Sequence, residues 1–413
     1  MAEPDYTSYL RLLRDFWGEF RSVQRQQTPG RIPRLLMHTQ RAALVALCHY
    51  PNKKMSSKPV YRRINWILLF NQTLMFISMV CGVHESSSII DMGDDFVWLI
   101  GLGLISTKSY CMHARATEID EVIRDMAYYD EVVRPIHDDE EILMWQRYCY
   151  MGEAYFGIGI FSLVNAFGLA ILLQPLLGEG RLPYHSLLPF GWHRQDLHPW
   201  TYRIAFGWLS VNSLHNLSTI LFVDLLGIST ILQTALNLKL LSIELRKLGD
   251  LGSVSDNQFH VEFCRVVRYH QHIIRLVDKS NRAFYVTFIA QMIASFAMIS
   301  ISTFETMVAA ADDPKMAAKF VLFVMVGFVQ LSAWCVAGNL VLYLSGEVGQ
   351  AAFEISDWHT KSVSIQRDIA FIMLRAQKPL FYVARPFKPL SLGTYMIVLK
   401  QCYRLLALLR ESM

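Results

Sequence analysis

Residues 371–413 read FIMLRAQKPLFYVARPFKPLSLGTYMIVLKQCYRLLALLRESM, a basic segment broken by Pro379, Pro386 and Pro389 and then a single apolar run. The run is about twenty residues long, just enough to cross the hydrocarbon of a bilayer. Lys400, Tyr403 and Arg404 fall inside it. Ionisable groups at membrane depth turn toward protein or water rather than lipid, so this helix reads as the lining of a watery path. A terminal span whose Lys and Arg snorkel to the interface is the competing reading. Everything upstream reads as scaffold for it.

Composition agrees with a membrane setting. Of 413 residues, 53% are hydrophobic, 12% aromatic and only 18% charged, and the mean hydropathy is +0.27. A soluble domain of this length is more polar, so a polytopic membrane protein is expected. The opening MAEPDYTSYLRLLRDFWGEF holds acids and no apolar core ahead of a small-residue cleavage site. No signal peptide is expected, and the first span itself directs insertion. The seven cysteines are scattered singly, which argues against a disulfide framework or a zinc site. Phosphate-loop, zinc-protease and serine-hydrolase signatures are missing, so no enzyme activity, cofactor or metal is expected. Nor is a nucleic-acid partner.

Seven spans follow from the apolar runs: Ile64–Val83, Phe96–Cys111, Ala154–Leu177, a fourth starting near Ile204, Ala283–Phe304, Phe320–Gly346 and Leu390–Leu409. Residues 1–63 carry twelve Lys/Arg, and residues 246–282 carry seven. The segments 84–94 and 178–199 are poor in them. Basic loops stay cytoplasmic, so the N-terminus is placed inside and the C-terminus outside, the inverse of a G-protein-coupled receptor. In the N-terminal segment Tyr9, Leu12, Leu13, Phe16, Trp17 and Phe20 recur at helical spacing. They predict an amphipathic helix on the inner leaflet or on the protein's own surface.

The expected organisation is an all-α, seven-span membrane protein. Its parts are a cytoplasmic segment (1–63), spans one to four (64–245), a cytoplasmic loop and anchor helix (246–282), spans five and six (283–346), a second anchor segment (347–389) and a final pore-lining helix (390–413). No proline interrupts residues 202–313. Two helices of about 45 and 50 residues are therefore expected there, each roughly 70 Å long against a bilayer core of about 30 Å. They must project into the cytoplasm. Phe259, Phe263, Val266, Val267, His270, Ile273, Ile274 and Val277 form a stripe on the projecting part, suited to a helical bundle that holds subunits together.

Ionisable residues within or near the spans are Lys108, Glu153, Asp224, Glu305, Lys400 and Arg404. Lys108, Glu153 and Glu305 lie near span ends and read as interfacial. Asp224 is deeper and faces the bundle, either pairing structurally or contributing to function. The sequons at Asn71 and Asn216 lie within apolar spans and are expected to be unmodified. The outer halves of four spans collect aromatic and small polar residues. These are Phe96, Trp98, Ile100 and Gly103 in span two; Phe161, Asn165 and Phe167 in span three; Phe206, Leu209, Asn212 and Ser213 in span four; and Phe320, Phe323 and Gly327 in span six. Such a set suits a pocket for a small lipophilic ligand, with plain helix core as the alternative.

Gly338-Asn339 in span six, Trp358 after it, Lys378-Pro379, Pro389-Leu390-Ser391-Leu392, Thr394-Tyr395, Lys400 and Tyr403 together resemble the insect odorant receptors. The absence of a long insertion before span five resembles a ligand-specific tuning subunit rather than the shared co-receptor. The resemblance implies a ligand-gated, non-selective cation channel, formed as a heterotetramer with that co-receptor in the plasma membrane. It also implies subunit contacts through a cytoplasmic anchor and a small volatile odorant in the outer half of each bundle. Pore-constriction positions, three, six and seven residues after Tyr403, fall on Leu406, Leu409 and Arg410. Four arginines at a pore mouth would repel cations, so an efficient homomeric pore is not expected. The related gustatory receptors and the G-protein-coupled receptors are the rival readings; the second lacks Asp-Arg-Tyr and Asn-Pro-x-x-Tyr signatures.

Overall fold

The computed structural model describes residues 59–83, 89–126, 128–133, 140–149, 186–194, 199–251 and 256–411, with isolated residues among 40–49 and 151–182. The expected helix over Tyr9–Phe20 lies outside the described residues, as do Glu153 and most of span three, including Phe161, Asn165 and Phe167. The main elements are α1 (Pro59–Val83), α2 (Ile89–Ala114), α3 (Ala116–Asp125), α4 (Pro199–Lys247), α5 (Asp256–Asp312), α6 (Pro314–Phe353), α7 (Val363–Ala376) and α8 (Leu392–Glu411). No strand occurs among the described residues.

Helices α4, α5 and α6 run for 49, 57 and 40 residues. At 1.5 Å per residue they are about 60 to 85 Å long, twice the thickness of a bilayer core or more. Their ends have local causes. A 3₁₀ turn at Leu248–Leu251 closes α4. Asp313 alone separates α5 from α6, and its carboxylate accepts from the Lys315 and Met316 backbone N–H groups at 3.0 and 3.1 Å. Pro314 then occupies the first helical position, where a missing N–H costs nothing.

The centre of the molecule is α4. Every residue from Val223 to Ile231 is buried, on all sides of the helix, which marks a fully enclosed element. Five described segments are long and apolar enough to cross a membrane: Arg63–Val83, Pro199–Lys247, Asp256–Ala310, Pro314–Phe353 and Leu392–Glu411. The segment α2 is long enough but carries Asp91, Asp94, Asp95 and Lys108. It begins seven residues before the expected Phe96, because those acids are accommodated rather than excluded. Asp94 pairs with Lys319 at 2.7 Å, and acids near a helix N-terminus favour its dipole.

The apolar stripe on the projecting part of α5 is spent inside the chain. Phe259, Phe263, Val266, Ile273 and Val277 are buried in one cluster with α4 and α7 residues, the helix packing for which the stripe is suited. The reason is α4 itself, which lies alongside and offers a matching surface. Polar bonds fix the register. Tyr269 donates to Asn237 Oδ1 at 2.8 Å, and Arg265 reaches Glu244 at 3.0 Å. Glu244 also accepts from Tyr129 at 2.9 Å. Exposed apolar residues remain on the other side, at Val363, Phe371 and Leu374 of α7.

Candidate functional site

Two regions carry function-bearing chemistry, a cavity among α1, α2, α4, α5 and α6 and the exposed helix α8. The cavity has a volume of about 150 Å³. Its walls are apolar: Met75 and Met79 from α1, Val97, Trp98, Leu102 and Ile105 from α2, Leu221 and Leu225 from α4, Met298 from α5, and Phe323 and Val326 from α6. Trp98 and Phe323 meet edge to face with centroids 5.6 Å apart. Few polar groups reach the space: Ser213, Asn216 and Asp224 on α4 and Gln330 on α6. This is the composition of a site for a mostly apolar small molecule oriented by a few hydrogen bonds.

One end of the cavity is an ionic floor. Lys108 is completely buried, and its ammonium donates to Asp224 and to Gln291. It also lies 5.6 Å from the Trp334 ring centroid. Gln330 donates to the other Asp224 oxygen, and Gln291 donates to Ser295 at 2.8 Å. Every charge therefore has a partner, which is the condition for keeping it away from water. Lys108 was expected at the interface, and the structure corrects this. Its neighbours supply the opposite charge, so nothing drives it outward. Glu305, near a span end, is also buried among the helices; its carboxylate lies against Gly93, where an added Cβ would sit 2.1 Å from it.

The residues singled out from the sequence distribute around this cavity unevenly. Ser213 and Phe323 line it, as does Trp98. Leu209 is fully buried against Met75, Met79 and Leu102, just behind the wall. Asn212 bonds to Asn71 and donates to the Trp208 carbonyl at 2.7 Å. Gly327 is where α6 closes on α5, since a Cβ there would lie 2.8 Å from Ile299. Phe206 and Ile100 are half-buried, Phe96 is exposed, and Gly103 faces Phe76. The two sequon asparagines are clamps between α1 and α4: Asn71 also accepts from Trp208 at 3.0 Å, and Asn216 accepts from Gln72 at 3.0 Å.

Helix α8 is held along one face of its first half, from Thr394 to Cys402, and is mostly bare elsewhere. Thr394, Val398 and Cys402 are its buried residues. The Gly338-Asn339 pair explains the hold. A Cβ at Gly338 would lie 2.4 Å from the Leu390 carbonyl oxygen, so only glycine lets the backbones approach. Asn339 Oδ1 accepts from the Leu392 N–H at 3.4 Å, and Thr394 donates to the Pro389 carbonyl at 2.6 Å. Past this seam Lys400, Tyr403, Arg404 and Arg410 are exposed, and Leu406 and Leu409 are half-buried. Tyr403, Leu406 and Arg410 share a helix face.

Sequence reading missed the Lys108–Asp224 pair and the contribution of α1. The available signal was the presence of two opposite charges inside apolar spans, which must find each other.

The family described as 7tm Odorant receptor matches residues 88–403. The chain is 61% identical over 413 residues to Odorant receptor 47b of Drosophila melanogaster, covering all of both chains. It is 29% identical to Odorant receptor 65a of the same organism, over 96% of this chain and 94% of that one. The solved structure of the insect olfactory receptor OR5 from Machilis hrabei in complex with eugenol superposes with a TM-score of 0.78 at 14% identity. That match covers 97% of this chain and 100% of the other, so the fold is that of the insect olfactory receptors, a seven-helix membrane architecture. The chain is a multi-pass membrane protein, and it belongs to the odorant receptor family.

Proposed function

We propose that the chain is the odorant-binding, pore-contributing subunit of a ligand-gated, non-selective cation channel in the plasma membrane. It assembles with the family's shared co-receptor as a heterotetramer, with the N-terminus cytoplasmic and the C-terminus extracellular. A small volatile organic molecule occupies the α1–α2–α4–α5–α6 cavity and favours the open arrangement by binding it more tightly than the closed one. The Machilis receptor of this fold is solved with eugenol, which supports that class of ligand here.

The observation that carries the reading is the bare α8. Only 17% of its most apolar stretch is buried, and Tyr403 is 71% exposed. Lipid is a poor neighbour for Lys400, Arg404 and Arg410, whereas a central aqueous path shared with other subunits suits them. Leu406 then serves as the constriction, with Leu409 and Arg410 beyond it. The exposed Val363, Phe371 and Leu374 of α7 meet the neighbouring subunits.

Whole-cell recording tests this directly. Cells expressing the chain with the co-receptor should give fast cation current to members of a panel of volatile esters, alcohols and aromatics, and cells expressing it alone should give none. A second-messenger response without current in either case would overturn the reading. So would an intracellular C-terminal tag.

A further inference from the structure

We propose that the cavity floor reads the hydrogen-bonding group of the ligand, and that breaking the Asp224–Gln330 bond separates mere occupancy from opening. The inference rests on the channel reading above. Asp224 and Gln330 both line the cavity and are bonded to each other, forming a clasp from α4 to α6. Lys108 holds Asp224 from the other side and ties in Gln291 of α5. The floor carries equal and opposite charges, so it offers nothing to offset the desolvation of a charged ligand. An uncharged molecule with one compact polar group fits it. A hydroxyl can donate to an Asp224 oxygen, and an ester or ketone carbonyl can accept from the Gln330 amide. Either replaces one side of the clasp.

The consequence of release is set by α6. Gln330, Trp334 and Gly338 fall at i, i+4 and i+8, along one ridge of the helix. Gln330 closes the clasp, Trp334 carries the Lys108 ammonium on its ring, and Gly338 is the seam against Leu390 that precedes α8. One continuous ridge thus connects the floor of the cavity to the root of the last helix, about 12 Å away at 1.5 Å per residue. A hydrocarbon of the same shape fills the apolar walls and leaves the clasp closed.

The test uses the full chain with the co-receptor, recorded against matched probes of one carbon skeleton: alkane, primary alcohol and methyl ketone. The alkane should compete with the alcohol, raising its half-activating concentration several-fold, while opening less than about a tenth as much current. Gln330→Met, which keeps the volume and removes the clasp, should raise the current without ligand several-fold and bring alkane and alcohol to equal efficacy. Surface labelling verifies assembly. As a check against a packing defect in Gln330→Met, the Lys108→Met/Asp224→Leu double variant supplies a second case, in which both charges and the acceptor of the clasp go together and the same loss of discrimination is expected. An alkane that opens the unmodified channel as well as the alcohol overturns the proposal. So does a Gln330→Met channel with unchanged resting current and unchanged discrimination. Either result leaves the channel reading intact, whereas silence to every probe that binds would sink both.

Discussion

Helices α4 and α8 both qualify by length and composition as membrane spans, yet α4 buries 83% of its most apolar stretch in its own chain and α8 buries 17%. Their polar residues differ in the same way. On α4, Asn212, Asn216, Asp224, Thr234, Asn237 and Glu244 are buried, and each meets a partner from another element. On α8, Lys400, Tyr403, Arg404 and Arg410 are exposed, and no ion pair joins them to an acid among the described residues. A polar residue in a span is therefore not one kind of signal. On α4 it builds the bundle, and on α8 it stays on the surface of the chain, where the proposed channel would place a water path.

The sharpest way to break this contrast is at the α4 floor. Lys108→Met alone leaves Asp224 buried without its cation and should cost about 3–5 kcal/mol, with loss of surface expression. The double variant with Asp224→Asn should recover most of it, as read by thermal unfolding in detergent; failure to recover would mean that the charge pair is not what matters. Next is the seam between the two regions. Gly338→Ala places a methyl 2.4 Å from the Leu390 oxygen and should cost about 1–3 kcal/mol by overpacking. Current per surface channel should fall with it.

A smaller effect is expected at Tyr382, which is fully buried and whose hydroxyl meets Thr234 at 2.9 Å. Tyr382→Phe should cost about 1 kcal/mol and lower the unfolding midpoint without changing ligand preference. The smallest change in stability belongs to α8, where Leu406→Ala should cost less than about 0.5 kcal/mol. It should nevertheless alter leak or ion selectivity in bi-ionic recordings, whereas Phe323→Ala in the cavity should shift ligand preference, at a cost in stability, and leave ion selectivity unchanged. If the last two effects were interchanged, the assignment of pore and pocket would be wrong.

The sequence made the long helices legible, because an unbroken stretch from Thr201 to Asp313 leaves the chain few alternatives. It also exposed the motif residues Gly338-Asn339 and Pro389–Thr394 as a pattern. It could not show that the two halves touch, since the bond from Leu392 to Asn339 spans 53 positions. The pocket was blurred for a related reason. Periodicity says which residues share a helix face, but the face that meets a cavity is set by neighbouring helices. Hence Leu102 and Ile105 line the space where Ile100 and Gly103 were singled out. Lys108 looked interfacial because its counter-charge lies 116 positions away, a relation that only tertiary packing creates.

The seam at Gly338 and Leu390 makes α8 a lever with one end pinned. Its 20 residues extend about 30 Å, so a swing of about ten degrees about the pinned end carries the far tip through some 5 Å while Thr394 moves by about 1 Å. Spin labels at positions 394 and 409, each measured against the body of the bundle, would register this as unequal displacement on activation. In the proposed channel a small rotation at the root would thus be multiplied into a change of bore wide enough to admit water, with no need to remodel the helices packed around α4.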